Sequence, residues 1–560
     1  MPQTTGEYSI GTTAVALGIA NHLFLKRYEP LRTTVIHTAF GLILQPSLLV
    51  FALKWFSESE SNSSLSLSNF LLSYFAFFTS LATSIILYRI SPFHPLATVP
   101  GPLIFKITKL WRMYICWKGL QHHTLKALHD QYGPIVRTGP NEISVTGVED
   151  VKSILGSDGL PKGPGYLTGK LVGQPYSLIQ AKGEDRINRR RVWSRGFTTE
   201  AMKEYQEIVV KKAAQLGEAL SARSGSEVDL LEWLNFFSFD FMAEMMFGGG
   251  SQMLTDGRDT RGVIKVLQNG VWSNEIFSHV PWFTHLARYL PAVAHNGKLM
   301  HDFAIEWCTR RITNGAEKKD LWYHLTDEAG NEKVKPSMAV VASDAVLAIV
   351  AGSDTTSTAM ANLFWCLLSR PETYKRLREE VDKEYPVGTD PLLDTSRYGN
   401  MKYLTACLNE ALRLLPPAPS NGNPRVVPKG GGGRVVSGYF VPEGTQVQVP
   451  SYSVHRNPDN FSPSPEAFLP ERWLDGANDT LPAGPRALKT DAFITFSYGP
   501  MNCIGKNLAR FEMTMVITTL MQRFDFEFAK AFKWKEWPNS KIDAFISLSK
   551  PLKVVVKSRF

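Results

Sequence analysis

The sequence predicts a mainly α-helical chain with a small β-sheet region, preceded by N-terminal transmembrane helices. Three observations carry this. The first 90 residues hold three apolar segments. Apolar patterns with helical period follow, above all at residues 337–368 and 404–415. Period-two alternation is confined to short runs near 135–145 and 435–449. The 560-residue chain shows no linker-like break after about residue 100 and no internal repeat, so one large domain behind a membrane anchor accounts for its length. The expected boundaries are an anchor at 1–90, a proline-rich hinge at 91–102 and a single domain at 103–560.

In the anchor, residues 35–53 and 67–88 carry no formal charge. Each is about long enough for a bilayer, which needs ~20 residues. Residues 11–25 form a shorter segment containing Asn21 and His22. A signal peptide competes for this first segment, but Glu7 is the only charge before it and a basic start is missing. Two or three spans are therefore expected. Lys26, Arg27 and Arg32 lie between the first and second segments. Lys54 lies between the second and third beside Glu58 and Glu60, and Arg89, Lys106, Lys109 and Arg112 follow the third. The positive-inside rule then puts the N-terminus in the lumen and everything after residue 90 in the cytosol. Asn62-Ser-Ser is a glycosylation sequon on the luminal loop of that arrangement. Pro92, Pro95, Pro100 and Pro102 break any helix and set how the chain leaves the membrane.

Five scattered cysteines (Cys116, Cys308, Cys366, Cys407, Cys503) offer neither C-x-x-C zinc spacing nor a disulfide framework. A net charge of +9 without a basic tail points to a membrane surface or an acidic protein partner, not to nucleic acid. The run Gly430–Gly433 lacks the G-K-[ST] that a phosphate loop needs and reads as a flexible turn.

Residues 135–145 alternate around Gly139-Pro140 and read as a β-hairpin, with the sheet continuing near 435–449 through a turn at Pro442-Glu-Gly444. Arg186, Arg189, Arg190, Arg191 and Arg195 form a basic helical stretch around Trp193. Residues 200–335 read as mostly helical, and Val280-Pro-Trp-Phe283 as an apolar knot at a membrane-side entrance. The helix at 337–368 contains Ala351-Gly352-Ser-Asp354-Thr355-Thr356. An apolar helix has little structural reason for this set, since Gly costs roughly 1 kcal/mol against Ala and Thr is stiff at χ1. Glu410 and Arg413 share a helix face, flanked by Leu404, Leu408, Leu412, Leu414 and Leu415, and so form a buried pair. Residues 416–424 and 542–548 are expected to line a pocket, and a strand is expected at 554–556. Finally, Phe496-Ser-Tyr-Gly499-Pro-Met-Asn-Cys503-Ile-Gly505 is a Gly-rich loop that presents one cysteine just before a helix, where the helix terminus favours the thiolate.

Taken together, these motifs resemble the haem-thiolate monooxygenases, the cytochrome P-450 family, microsomal in type and fungal in appearance. The haem loop of that family reads F-x-x-G-x-R-x-C-x-G, matched here at Phe496, Gly499, Cys503 and Gly505 and broken at Met501. The resemblance covers about residues 90–560 and implies a helical haem-thiolate catalytic domain with a small side sheet. By resemblance Cys503 is the proximal ligand of the iron of haem b (iron protoporphyrin IX). Gly352 opens room for O₂, while Asp354 and Thr355 deliver protons, general-acid work typically worth about 10²–10⁴-fold. Arg190 falls on the arginine of the family's W-x-x-x-R and, with Arg425, would reach a propionate. Arg186 falls where that tryptophan is expected and becomes a candidate for the cation missing at Met501. Arg472 joins Glu410 and Arg413 in a buried structural network. The implied reaction inserts one oxygen atom from O₂ into a lipophilic small molecule entering from the bilayer, and the fungal look of the chain suggests a place in secondary metabolism. Electrons would come from NADPH through the flavoprotein NADPH-cytochrome reductase, docked on the outward arginines. The implied location is the endoplasmic reticulum membrane, with the catalytic domain facing the cytosol. Two alternatives remain on sequence alone: the same fold as a reductase-independent isomerase or dehydratase, and a non-enzymatic haem-binding membrane scaffold.

Overall fold

The computed structural model describes residues 3–28, 30, 34–55, 66–168, 175–284, 289–315, 318–476 and 481–560. Asn62 of the sequon, Arg32, Glu58 and Glu60 lie outside the described residues.

The anchor is three helices, α1 (Gln3–Arg27), α2 (Thr34–Trp55) and α3 (Leu67–Ile90). α2 and α3 are long and apolar enough to cross a membrane, and α1 packs along α3. Gly18 makes that approach possible, because a Cβ there would run into Ser80 and the Phe77 carbonyl. His22 Nδ1 meets Ser84 Oγ at 2.7 Å across the same pair. Ser91 ends α3, its N–H donating to Leu87. The proline-rich segment that follows is strapped to the domain. Arg137 is fully buried and donates to the carbonyls of Arg89, Leu96 and Pro140, while its own N–H donates to the Pro100 carbonyl at 2.7 Å.

The expected hairpin is present as β1 (Ile135–Gly139) and β2 (Glu142–Val145). The main sheet then continues through only part of the expected run. β4 (Gln446–Gln448) pairs parallel with β2 and antiparallel with β3 (Arg425–Val426). Residues Arg434–Val436 and Tyr439–Val441 pair with each other instead, closing on Ser437 and Gly438 at positive φ, which a tight hairpin turn requires. Residues Ile542–Ala544 (β5) and Ile546–Leu548 (β6) form a second hairpin, and Lys553–Ser558 pairs with Phe524–Phe528.

Six helices frame the centre: α4 (Gly183–Arg195), α5 (Leu230–Phe247), α6 (Val263–Ser278), α7 (Met338–Leu368), α8 (Lys402–Leu414) and α9 (Lys506–Arg523). α7 has the length and hydropathy of a membrane span, but it lies in the domain core against α5, α8 and α9. Ser337 caps its first turn by accepting from Val340 N–H. α5 is apolar around most of its surface because most of it is buried, with Glu232 in its first turn left exposed.

Candidate active site

α8, the 455–473 segment and the loop before α9 are joined by one saturated charge network. Arg413 forks onto both oxygens of Glu410 at 2.8 Å. Arg472 Nε donates to Glu410 Oε1 at 2.9 Å, Trp473 Nε1 to Oε2 at 2.9 Å and Leu469 N–H to Oε1 at 3.0 Å. The remaining Arg413 donors reach the carbonyls of His455, Pro465 and Ala467. Burial alone would raise the Glu410 carboxyl, but Arg413, Arg472 and the Leu469 N–H hold it below its ordinary value. His455 carries the network to the cysteine loop. Its Nδ1 lies 3.0 Å from the Arg413 carbonyl and its Nε2 accepts from Ile494 N–H at 3.0 Å. Burial, next to Arg413, pushes this ring down to about 3, so it stays neutral.

The cysteine loop is built by its own backbone. Cys503 N–H donates to the Phe496 carbonyl at 2.8 Å and Asn502 N–H to the Gly499 carbonyl at 3.1 Å. Gly499 is glycine because its φ is +67° and because a Cβ would collide with the Leu155 carbonyl. Its close approach is thus to the chain itself. At Gly505 a Cβ would meet only Phe197, at an ordinary 3.6 Å. Arg190 on α4 braces the loop, donating to the Asn502 carbonyl at 2.7 Å and to Asn502 Oδ1 at 2.8 Å. Burial raises the Cys503 thiol, opposed by the Gly505 N–H and by the charges of Arg190 and Lys506.

Cys503 opens onto a cavity of about 320 Å³ that runs from this loop to α7. Phe496, Gly505, Arg190, Arg425 and Thr355 line it; Asp354 and Arg186 are not in the lining. Thr355 bonds back along its helix, Oγ1 donating to the Ala351 carbonyl at 2.6 Å. Asp354 accepts from Gln268 Nε2 on α6 at 3.0 Å, and burial pushes its carboxyl up to about 6, with Gln268 pulling the other way. Gly352 answers to packing, since a Cβ there would lie 2.6 Å from Met242 Sδ of α5. Phe545, at the tip of the β5–β6 hairpin with φ +73°, lines the cavity opposite Tyr166.

The lining is apolar apart from a few groups, and its charges do not balance. Lys162, Arg190 and Arg425 line the cavity, whereas burial pushes the lining carboxyl Glu512 well up, against a Ser238 bond that favours its charged form. Arg425 Nη1 lies 2.9 Å from Met501 Sδ, the position where the resembled loop has arginine. A thiol on one wall, an apolar interior and an excess of cations at one edge fit a flat apolar dianion, which describes haem b with its two propionates. Lys162 and Gln268 escaped the sequence reading. Lys162 sits in an unremarkable Pro161-Lys-Gly163 run, and Gln268 lies 86 residues from its partner. Several arginines of α4 serve intramolecular pairs: Arg191 and Arg195 bind Glu332 at 2.6 Å, and Arg195 also reaches Asp327.

A mostly helical domain whose glycine-rich loop presents one cysteine to an apolar cavity that a Thr-bearing helix also lines defines a haem-thiolate oxygenase. The Cytochrome P-450 family model matches residues 97–556, and the chain belongs to that family. It is 32% identical over 481 residues to Cytochrome P-450 67 of Uromyces fabae, covering 84% of this chain and 87% of the relative. Averantin hydroxylase of Dothistroma septosporum is 31% identical over 444 residues (78% and 81%). Trichothecene C-15 hydroxylase of Fusarium sporotrichioides is 30% identical over 459 residues (79% and 90%). The chain is thus a cytochrome P-450 monooxygenase with hydroxylases of fungal secondary metabolism among its relatives.

Proposed function

We propose that this monooxygenase hydroxylates a lipophilic small molecule of secondary metabolism, with electrons from NADPH delivered by a membrane-bound flavoprotein reductase. One atom of O₂ enters the substrate, and the other leaves as water with two electrons from NADPH and two protons. The observation that carries this reading is that Cys503 and Thr355 line one and the same apolar cavity. When bound, haem supplies the oxygen activation and atom transfer.

The residues divide the remaining work. Cys503 Sγ is the iron ligand, its loop held by Phe496, Gly499, Gly505 and the Arg190–Asn502 fork. Arg190 and Arg425 would hold the propionates, and Arg186 adds positive potential beside Arg190. Thr355 Oγ1, released from the Ala351 carbonyl, donates a proton in the cavity. The Asp354 carboxyl, raised to about 6, is poised to replenish that proton near neutral pH, and Gln268 holds it in place. Tyr166, Leu178, Leu347 and Phe545 exclude water and give the substrate an apolar bed. Glu410, Arg413 and Arg472 hold the frame and do not touch the reacting atoms.

The cytosolic orientation at the endoplasmic reticulum rests on α2, α3 and the charges around them. It also rests on the exposed Phe93, Leu103, Trp111, Tyr114 and Trp117 just after the anchor, a row suited to a bilayer interface. The test is turnover in microsomes with a co-expressed reductase. Hydroxylated product must depend on NADPH and carry label from ¹⁸O₂. Turnover of an oxygenated substrate without NADPH would favour the isomerase reading instead.

A further inference from the structure

Lys162 and Arg425 are partners in an isolated antiparallel β-bridge. The bridge is tight: Gly163 N–H donates to the Pro424 carbonyl at 3.0 Å and Val426 N–H to the Pro161 carbonyl at 2.9 Å. A Cβ at Gly163 would lie 2.6 Å from the Pro424 carbonyl, so only glycine permits this contact. Residues directly opposite in such a pair share a face, and like charges there repel. Both side chains nevertheless point into the cavity that holds Cys503.

Little around them offsets the repulsion. Lys162 Nζ donates to the Ile179 carbonyl at 2.7 Å and lies 5.2 Å from the Tyr166 ring centre; Arg425 meets Met501 sulfur. No carboxylate forms an ion pair with either among the described residues. Burial, and then Arg425, Arg186 and Arg190, push the Lys162 amine down to about 7. Two cations held side by side at a cavity wall, with no carboxylate paired to either, suit an anion bound in that cavity.

We infer that Lys162 and Arg425 form a two-pronged clamp for one haem propionate, with Lys162 supplying the cation that the cysteine loop lacks at Met501. The inference rests on the haem reading above. Arg190, committed to Asn502 through two donors, has less to offer the carboxylate. Lys162 also takes the role that the sequence suggested for Arg186, which stands outside the lining.

The test compares full-length wild type with Lys162→Met, Lys162→Arg and the double variant Lys162→Met/Met501→Arg. The readouts are haem per folded protein and the rate of haem transfer to excess apomyoglobin. A charge-assisted hydrogen bond lost from the cofactor predicts roughly tenfold faster transfer from Lys162→Met. Lys162→Arg should behave like wild type, and the double variant should return toward the wild-type rate. A Lys162→Met protein that keeps haem as long as wild type would overturn the clamp, as would a double variant no better than the single. If Lys162→Met yields no folded protein, the double variant decides: haem-loaded double variant supports the clamp, and loss of folding there too makes Lys162 a structural residue and overturns it. A wild-type chain that folds without haem would instead remove the haem reading itself.

Discussion

Two clusters of charge among the described residues are built on opposite plans. Around Glu410 each carboxylate oxygen accepts several donors, and Arg413 is spent on a carboxylate and three carbonyls. Around Lys162 and Arg425 the charges are of one sign, line a cavity and form no ion pair with a carboxylate among the described residues. A closed network holds the chain together without a ligand. An open one stays unfavourable until a ligand closes it. Burial is common to both, so the distinguishing feature is whether the charge count balances.

The comparison breaks most visibly at Glu410. Replacing it with alanine strands Arg413 and Arg472 in the core and should cost roughly 3–5 kcal/mol, read as a lower urea midpoint with or without haem. Arg425→Ala should do the reverse, loosening haem while leaving the haem-free fold resistant to limited proteolysis. Equal loss of fold in both variants would erase the distinction.

Thr355→Ala should lower product formation by about 10²-fold or more while NADPH oxidation continues, measured as product per NADPH consumed. Gly352→Ala should cost about 1–3 kcal/mol through overpacking against Met242, and a shorter residue at 242 should recover most of it. Recovery would assign Gly352 to the α5–α7 contact rather than to ligand space.

The smallest effect is on pH dependence. The folded Asp354 carboxyl titrates near 6, above its ordinary 3.8. The folded chain therefore binds the proton more tightly than the unfolded chain. Its contribution to stability is complete below pH 3.8 and is lost as pH rises through about 6. Asp354→Asn should flatten that part of the stability profile. Gln268→Leu removes the hydrogen bond that favours the charged form and should move the loss to higher pH.

What the sequence made legible follows from how local each signal is. The cysteine loop, the Glu410–Arg413 spacing and the α7 motif are short runs whose chemistry is written in adjacent residues. The 135–145 hairpin and the last pocket-lining hairpin were readable for the same reason. The continuation at 435–449 was legible only in part, because Ser437-Gly438 closes its own hairpin and sends only 446–448 to the main sheet. Lys162 and Arg425 stand 263 positions apart, and the glycine that lets them meet is informative only once Pro424 is seen against it. Gly352 lines the cavity, and its contact with Met242 was invisible in the sequence because Met242 lies on another helix. The arginines of α4 read as a docking face, yet Arg191 and Arg195 are paired with Glu332 of a distant segment.

The central claim is that Cys503 offers a thiolate to haem iron inside this cavity. The most direct measurement is the carbon monoxide difference spectrum of the reduced protein in microsomes, for wild type and Cys503→Ala. The account predicts a strongly red-shifted Soret band in wild type that disappears in the variant. An unshifted band in folded wild type, or a shifted band that survives the substitution, would contradict it.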